Sequence, residues 1–230
     1  MGFTLFDRVH VSWLVFVIIA VVAITVMYKR GNLANERRLQ MAVWIGLLVL
    51  EVGKQLYLLI THEYDYWSPP LHLCGLGMFV IGWHVWKPNR TTATILYSLT
   101  LPGAAIALLF PGWANEPVGS FLHIHSFLFH LLLVLYVVML LVTRQLELVT
   151  KDLWKAVLFL MIFVPLIYIY NQAFQTNFMF LNRPVKGTPL QWLYDAFGAS
   201  GYLVSLAVVL FILWVVLYWP IERSKRHVSK

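Results

Sequence analysis

Seven long apolar runs constrain this chain more than any other feature of its sequence. Crossing a hydrocarbon core of about 30 Å takes about 20 residues of helix, so most of the runs are long enough, although the first and third are short. Only 12% of the residues are charged, against about 25% in a soluble domain. The sequence therefore predicts an all-α, polytopic membrane protein with seven transmembrane helices in a single domain, 1–230. The predicted spans are Val11–Met27, Leu39–Ile60, Leu71–Trp86, Ala93–Phe110, His123–Val142, Leu153–Tyr170 and Ala199–Trp219.

The formal net charge of +7 comes from basic residues in the short loops between these runs. A basic protein binds nucleic acid when its charges form a soluble patch, and this distribution is instead typical of membrane topology. We therefore expect no nucleic-acid partner and a location in the cell membrane. The single cysteine, Cys74, excludes an internal disulfide. The N-terminus is not basic and no small-residue cleavage site follows the first run, so we expect no cleaved signal peptide.

The loop charges predict the orientation of the spans. Thirteen basic residues fall on one side of the predicted membrane and three on the other, while Lys54 falls inside a span. By the positive-inside rule, the N-terminus is outside and the C-terminus is cytoplasmic. The cytoplasmic set is Lys29, Arg30, Arg37, Arg38, Lys87, Arg90, Arg144, Lys151, Lys155, Arg223, Lys225, Arg226 and Lys230, and the outer set is Arg8, Arg183 and Lys186.

The stretch PPLHLCGLGMF, Pro69–Phe79, holds Cys74 where a proline-rich loop turns into an apolar helix. The N-terminus of a helix offers unpaired N–H groups and partial positive charge, which favour a thiolate over a thiol. His72, two residues earlier, offers an imidazole to take the proton. The alternative is that Cys74 is a small buried hydrophobic residue.

Polar side chains gather in the outer half of the predicted spans and in the loops that border it. Charged groups inside a bilayer are costly and usually face a cavity or a partner, so the cluster predicts an outward-facing polar cavity. Glu51 and Lys54 are spaced to pair on one helix face. His84, near the cytoplasmic end of its span, does not fit the pattern. The other members are His10, His72, Cys74, His123, His125, His130, Asn171 and Asn177.

Each of these residues also has a structural interpretation. His72 and His125 are then interfacial residues, and Glu51 and Lys54 hold two spans together. Alternatively, His72, Cys74, His125 and His130 assemble a metal site from separate spans. Neither GxSxG nor HExxH occurs, so serine-hydrolase and zincin chemistry have no support. Aromatic residues of the loops are typical of an interfacial belt; they include Tyr64, Tyr66, Trp67, Trp113 and Trp192.

Several stretches together resemble the YwaF-like bacterial integral membrane proteins. They are FDRVH (Phe6–His10), LHLCGLGMF (Leu71–Phe79), FLHIHSFLFH (Phe121–His130) and YNQAFQTNFMFL (Tyr170–Leu181). That family is related to eukaryotic multispanning acyltransferases that place polyunsaturated acyl chains on ether phospholipids. The resemblance implies a cysteine nucleophile, which maps onto Cys74, and an essential histidine, His130 or His125.

The expected function is that of a cysteine-dependent lipid acyltransferase or acyl hydrolase at the outer leaflet, without a cofactor or metal. A thiolate attacks an acyl ester, an imidazole moves the proton, and amide groups such as those of Asn171 or Asn177 stabilise the oxyanion. Because acyl-CoA is cytoplasmic, the expected acyl donor is a phospholipid and the acceptor a lysophospholipid or water. The alternatives are a small-solute transporter or channel that uses Glu51, Lys54 and the histidines, and a metal-binding membrane protein.

The charge asymmetry gives a direct test of the topology. Tags at the N-terminus and in the Tyr64–Ser68 loop should be accessible from outside intact cells, and a tag after the C-terminus only from the cytoplasm. Accessibility of the C-terminal tag from outside would overturn the orientation and the depth assigned to the polar cluster.

Overall fold

The structure is a computed structural model that describes residues 1–31, 33–185 and 187–228, without the side chains of residues 33, 34, 200 and 224–228. Among these residues every regular element is helical, which confirms the all-α prediction. Lys186 and Lys230, which count toward the predicted orientation, lie outside the described residues, as do the side chains of Lys225 and Arg226. The orientation stays a prediction.

Eight α-helices follow the predicted apolar runs along the described chain. They are α1 (Arg8–Arg30), α2 (Leu33–Ile60), α3 (Leu73–Trp86), α4 (Arg90–Ile95), α5 (Leu101–Leu109), α6 (Phe121–Val142), α7 (Leu153–Phe174) and α8 (Pro189–Val228). A π-helical segment, Leu96–Thr100, joins α4 to α5 so that one helical rod runs from Arg90 to Leu109. Short 3₁₀ helices lie at Thr150–Asp152 and Phe178–Phe180.

Six stretches of the described chain are long and apolar enough to cross a membrane, and they correspond to six of the seven predicted spans. The exception is α3, whose 14 residues extend for only about 21 Å. A helix of this length is shorter than a hydrocarbon core of about 30 Å. The described chain therefore has six candidate membrane spans, and the seventh span stays a prediction.

The chain forms two compact units, Met1–Glu147 and Leu148–Lys230. The predicted single domain stays a prediction.

Helix α6 is the centre of the first unit. It packs against α1, α2, α3 and α5, and buried side chains run along its length from His123 to Leu140. Ser120 caps its N-terminus, since the Ser120 hydroxyl accepts a hydrogen bond from the His123 N–H at 3.3 Å. A helix that is apolar on nearly all sides belongs in the interior of a bundle, which explains why α6 takes this position.

Close packing holds α3 against its neighbours through glycines. A Cβ on Gly77 would lie 2.7 Å from Thr100 Cγ2, and one on Gly82 would lie 2.5 Å from Trp44 Nε1. Small residues let helices approach closely, which is the main source of helix association inside a bilayer. Thr100 belongs to the π-helical segment, so this irregular segment and α3 fit each other.

The second unit consists of α7, a polar loop and α8. Helix α7 contains Pro165, as the sequence predicts. Gly198, with φ of 66° and ψ of −179°, interrupts the helical conformation within α8. A backbone with positive φ suits glycine, which has no Cβ, and the predicted last span follows this break.

The glycine contacts predict a difference between two helical glycines. Gly77→Ala should destabilise the protein by about 1–3 kcal/mol, because the added methyl group overlaps Thr100. Gly53→Ala is the control, since its Cβ would lie 3.6 Å from the nearest atom, on Phe121; it should be neutral or stabilising by up to about 1 kcal/mol. Thermal unfolding in detergent measures both, and the Gly77→Ala/Thr100→Ala double variant should recover stability. Equal effects of the two single alanine substitutions would contradict this packing.

Candidate functional site

The first turn of α3 lies deeper in the bundle than the ends of the helices beside it. Gln55 Nε2 donates to the Ser68 carbonyl at 2.7 Å, and Gln55 lies five residues, about 7 Å, before the end of α2. The side chain of Leu73 lies 3.4 Å from the Cβ position of Gly103, which lies six residues, about 9 Å, before the end of α5. The loop 61–72 therefore turns back along α2, and α3 begins about one and a half turns inside the first unit.

Cys74 is the second residue of α3, so the predicted position of the thiol at a loop-to-helix junction is confirmed. The first bond to the helix runs from the Leu76 N–H to the His72 carbonyl at 3.1 Å, and the His72 side chain does not cap the helix. Gly75 packs against the loop, since a Cβ there would lie 2.3 Å from the Pro70 carbonyl oxygen. The thiol is half-buried. Because N–H groups at the start of a helix have no intrahelical acceptor, those of residues 73–75 are donors available to a ligand.

Glu51 and Lys54 form the ion pair that their spacing predicts. Lys54 Nζ lies 2.9 Å from Glu51 Oε1, and Gln55 Nε2 donates to the same carboxylate oxygen at 2.6 Å. Glu51 is only 7% exposed. Since Gln55 also binds the Ser68 carbonyl, the ion pair is linked to the loop that leads into α3.

Two of the predicted imidazoles interact electrostatically with the same two groups. His72 interacts with His130 and Lys54, and His125 interacts with Lys54 and His130. His130 Nδ1 donates to the Ser126 carbonyl at 2.7 Å, because a carbonyl oxygen only accepts. In the neutral imidazole, Nε2 of His130 is then the basic nitrogen.

In the part of the chain that the structure describes, the thiol has no direct bond to an imidazole. Among the described residues, no hydrogen bond to Cys74 Sγ within 4.0 Å comes from an imidazole. The described side chains also contain no group of three or more His, Cys, Asp or Glu residues placed to hold a metal ion. In apo structures, catalytic hydrogen bonds are often long and tighten only when substrate binds.

His10 is fully buried and has hydrogen-bond partners at both ring nitrogens. Nδ1 accepts from the Phe6 N–H at 2.9 Å, and Nε2 donates to the Leu108 carbonyl at 2.8 Å. Asp7 caps the start of α1, and the N–H groups of His10 and Thr4 lower the pKa of its carboxyl group. These contacts give His10 a structural role that ties α1 to α5.

His123 lies in an aromatic cluster between α1 and α6. Its Nε2 accepts from Trp13 Nε1 at 2.8 Å, and its ring lies edge-on to Phe3 with 5.2 Å between ring centroids. Phe127 stacks on Trp13 at 4.7 Å and lies within 5.3 Å of His123. His123 is thus part of the packing that joins the two helices.

Asn171 and Asn177 hold together the loop that follows α7 in the second unit. The Asn171 side chain accepts from the Thr176 hydroxyl and from the Phe178 N–H, each at 2.8 Å, and donates to the Phe178 carbonyl at 3.0 Å. Asn177 Oδ1 accepts from the N–H groups of Asn182 and Arg183, and its amide donates to the Arg183 carbonyl. These bonds engage the amide groups that the sequence suggested as oxyanion donors, and their catalytic role stays a prediction.

Trp113, which the sequence assigned to an interfacial belt, lies against His130 of the candidate site. Its indole stacks on the His130 imidazole with 4.7 Å between centroids and 18° between ring planes. It also lies edge-on to Phe127. Neither contact has a local sequence signal, because 17 positions separate Trp113 from His130.

A polar network at the opposite end of the first unit was not predicted. Gln145 Oε1 accepts from the Tyr28 hydroxyl at 2.9 Å and from Gln40 Nε2 at 2.8 Å, while its amide donates to Glu36 at 2.7 Å. Four polar groups from three parts of the chain thereby satisfy one another.

His84, which did not fit the predicted cluster, is buried on the same side. His84 Nδ1 lies 2.7 Å from Thr92 Oγ1, and its ring lies edge-on to Tyr136. It therefore joins α3 to α4 and α6.

Comparison with curated proteins and with solved structures finds no match to the chain. The finer resemblance to YwaF-like proteins and to ether-phospholipid acyltransferases stays a prediction. The model of a multispanning membrane family, the TMEM164 family, matches residues 5–218, which is nearly the whole length. The chain therefore belongs to the TMEM164 family.

Proposed function

We propose that this protein is a membrane-embedded lipid acyltransferase whose nucleophile is Cys74. It moves an acyl chain from a phospholipid to a lysophospholipid, or to water. The observation that carries the proposal is the position of Cys74: the thiol lies in the first turn of a helix that begins inside the bundle of a multi-pass membrane protein. At that position the N–H groups of residues 73–75 can donate to the oxyanion that forms when the thiol attacks an ester. Within a membrane, the esters available for attack are those of lipids.

The reaction has two balanced steps. Cys74 Sγ gives its proton to an imidazole and attacks the ester carbonyl, and the tetrahedral oxyanion collapses to a thioester while the lysophospholipid oxygen leaves with that proton. The hydroxyl group of an acceptor then loses its proton to the imidazole and attacks the thioester, which releases the new ester and regenerates the thiol. The N–H groups of residues 73–75 stabilise the oxyanion in both steps.

His130 is the proposed base. Its Nδ1–H bond to the Ser126 carbonyl fixes the tautomer and leaves Nε2 basic. His130 also interacts with His72, which is two residues from the thiol. Since no direct bond joins Cys74 to an imidazole in the described chain, binding of lipid must bring the two groups within reach of each other.

Depth supports a lipid substrate. The loop 61–72 turns inward along α2 and leaves the first turn of α3 about 7–9 Å below the neighbouring helix ends. Ester groups of phospholipids occupy the interfacial zone of the bilayer, which is about that depth. With the predicted orientation this zone is the outer leaflet of the cell membrane, where phospholipid, rather than acyl-CoA, is the available donor.

A small-solute transporter is the second candidate, and the ion pair Glu51–Lys54 favours it. A paired acid and base inside a span are typical of an ion or proton pathway. Transport does not require the thiol, so a Cys74 variant separates the two candidates.

The thioester gives the central test. Purified wild-type protein incubated with a phospholipid carrying a labelled acyl chain should acquire the label, and neutral hydroxylamine should release it. Cys74→Ala should abolish labelling and turnover while the unfolding temperature stays close to that of the wild type, because one small half-buried side chain is lost. His130→Gln should slow acylation by about 10²–10⁴-fold, whereas His10→Gln should act through stability. A fully active Cys74→Ala protein would refute the nucleophile and leave transport as the leading candidate.

Variants of the ion pair separate a structural role from a functional one. Lys54→Met should cost about 3–5 kcal/mol of stability, because it leaves the buried Glu51 carboxylate without its partner, and Glu51→Gln should cost less, because Lys54 is partly exposed. The double variant should recover most of that loss in thermal unfolding. If the double variant is stable and still transfers acyl chains, the pair is structural; a stable but inactive double variant assigns it to substrate binding. Wild-type stability of both single variants would contradict the buried pair.

A further inference from the structure

Trp113 carries a buried polar group that the packing of the first unit does not satisfy. Its Nε1 is buried and has no hydrogen-bond partner among the described residues. Buried donors in folded proteins almost always have a partner, so an unsatisfied one points to a bound molecule. In an interfacial belt the indole N–H faces the lipid headgroups directly, and here it faces the protein interior instead.

The direction of this N–H is fixed by the rings around it. Trp113 stacks on His130 with 4.7 Å between centroids, and it lies edge-on to Phe127 at 5.3 Å. The N-terminal segment holds the loop in place, since the Phe3 N–H donates to the Ala114 carbonyl at 2.9 Å. The indole is therefore packed against two side chains of α6.

The chemistry around Trp113 selects an oxygen acceptor. The indole N–H can only donate, so its partner must present an acceptor. The rings beside it are an imidazole and a phenyl group, and the charge of Lys54 is already paired with Glu51. A phosphate oxygen or an ester carbonyl oxygen satisfies the N–H, because each is an acceptor. The neighbouring aromatic rings provide an apolar wall of the kind that acyl chains contact.

A second unsatisfied donor lies in the same aromatic cluster. Because His123 Nε2 accepts from Trp13, its neutral ring carries the proton on Nδ1, which is buried without a partner in the described part of the chain. His123 is 1% exposed. Like Trp113, it packs against Phe127 with 5.3 Å between centroids. Trp113 and His123 are thus two buried donors that pack against the same phenyl ring, and the bond from Trp13 assigns His123 to the packing between α1 and α6.

We propose that the indole N–H of Trp113 donates a hydrogen bond to an oxygen of the phospholipid substrate, and so positions the lipid beside His130. This inference rests on the proposed function, since it names how the same site holds its lipid. The acceptor is an ester carbonyl oxygen or a phosphate oxygen.

Binding of tritiated dioctanoyl phosphatidylcholine to the full-length protein in detergent tests the inference. All variants carry Cys74→Ala, so that no turnover intervenes. Trp113→Phe keeps a ring against His130 and removes the N–H; it should raise the Kd by about fivefold to tenfold. Without lipid, its unfolding temperature should fall less than that of Trp13→Phe, because both variants lose part of a packed ring and only the Trp13 donor has a protein partner. Trp113→Tyr removes the same N–H and replaces the phenylalanine variant if that one does not fold.

Trp13→Phe is the matched control. It also removes an indole N–H, but one that is bonded to His123 within the protein. It should lower the unfolding temperature and leave the Kd of the lipid unchanged. An unchanged Kd in Trp113→Phe would overturn the inference, as would an equal loss of affinity in the two variants.

A dialkyl analogue of the lipid identifies the acceptor oxygen, since it keeps the phosphate and lacks ester carbonyls. Loss of affinity confined to the diacyl lipid assigns the ester carbonyl, and equal loss for both lipids assigns the phosphate. The lipid-binding result does not depend on whether the protein transfers acyl chains. Without a thioester, weaker binding by Trp113→Phe would still establish the lipid contact; with a thioester, unchanged binding would refute the contact alone.

Discussion

Inside a bilayer a backbone has no water to bond with, so each N–H and C=O must find its partner within the protein. Long helices meet this requirement for most of the described chain. The first turn of α3 begins inside the bundle, about one and a half turns from the ends of the neighbouring helices. Its first N–H groups have no intrahelical acceptor, and such a start is tolerated inside a membrane where it is buried in protein or lines a cavity. The arrangement around Cys74 follows from this helix start.

Contacts from α2 and from the loop before α3 stabilise the first turn of α3. Gln55 binds both the Ser68 carbonyl and the Glu51 carboxylate, so a single amide satisfies a loop carbonyl and anchors the ion pair. Gly75 lets the Pro70 carbonyl approach the helix more closely than any other residue would allow. Gln55 thus joins the ion pair to the inward loop, and Gly75 joins the same loop to the start of α3.

The sequence predicted the features that follow from one-dimensional patterns. Six spans, the helix start beside Cys74 and the pairing of Glu51 with Lys54 were all predicted from hydropathy and from spacing along a helix. The length of α3 was overestimated by two residues at its N-terminal end, because hydropathy does not distinguish an apolar loop from a helix. Contacts between distant residues had no such signal. Composition could not distinguish His10 and His123, which contribute to packing, from His130. In His130 the bond from Nδ1–H to the Ser126 carbonyl leaves Nε2 as the basic nitrogen. The stacking of Trp113 on His130 depends on how a loop folds over α6, and no local pattern encodes that.

The π-helical segment Leu96–Thr100 has a consequence for how this protein tolerates change. One residue more per turn rotates everything after it by about 100° relative to an uninterrupted α-helix. That rotation brings Gly103 to Leu73 and the Leu108 carbonyl to His10. A π-helical turn holds about one residue more than an α-helical turn for nearly the same rotation, so deletion of one residue from this segment would restore an α-helix and keep Gly103 and the Leu108 carbonyl on the same side of the rod. Deletion of one residue within α4 or α5 would instead rotate one end of the rod by about 100° relative to the other and turn the face that supports α3 away from it.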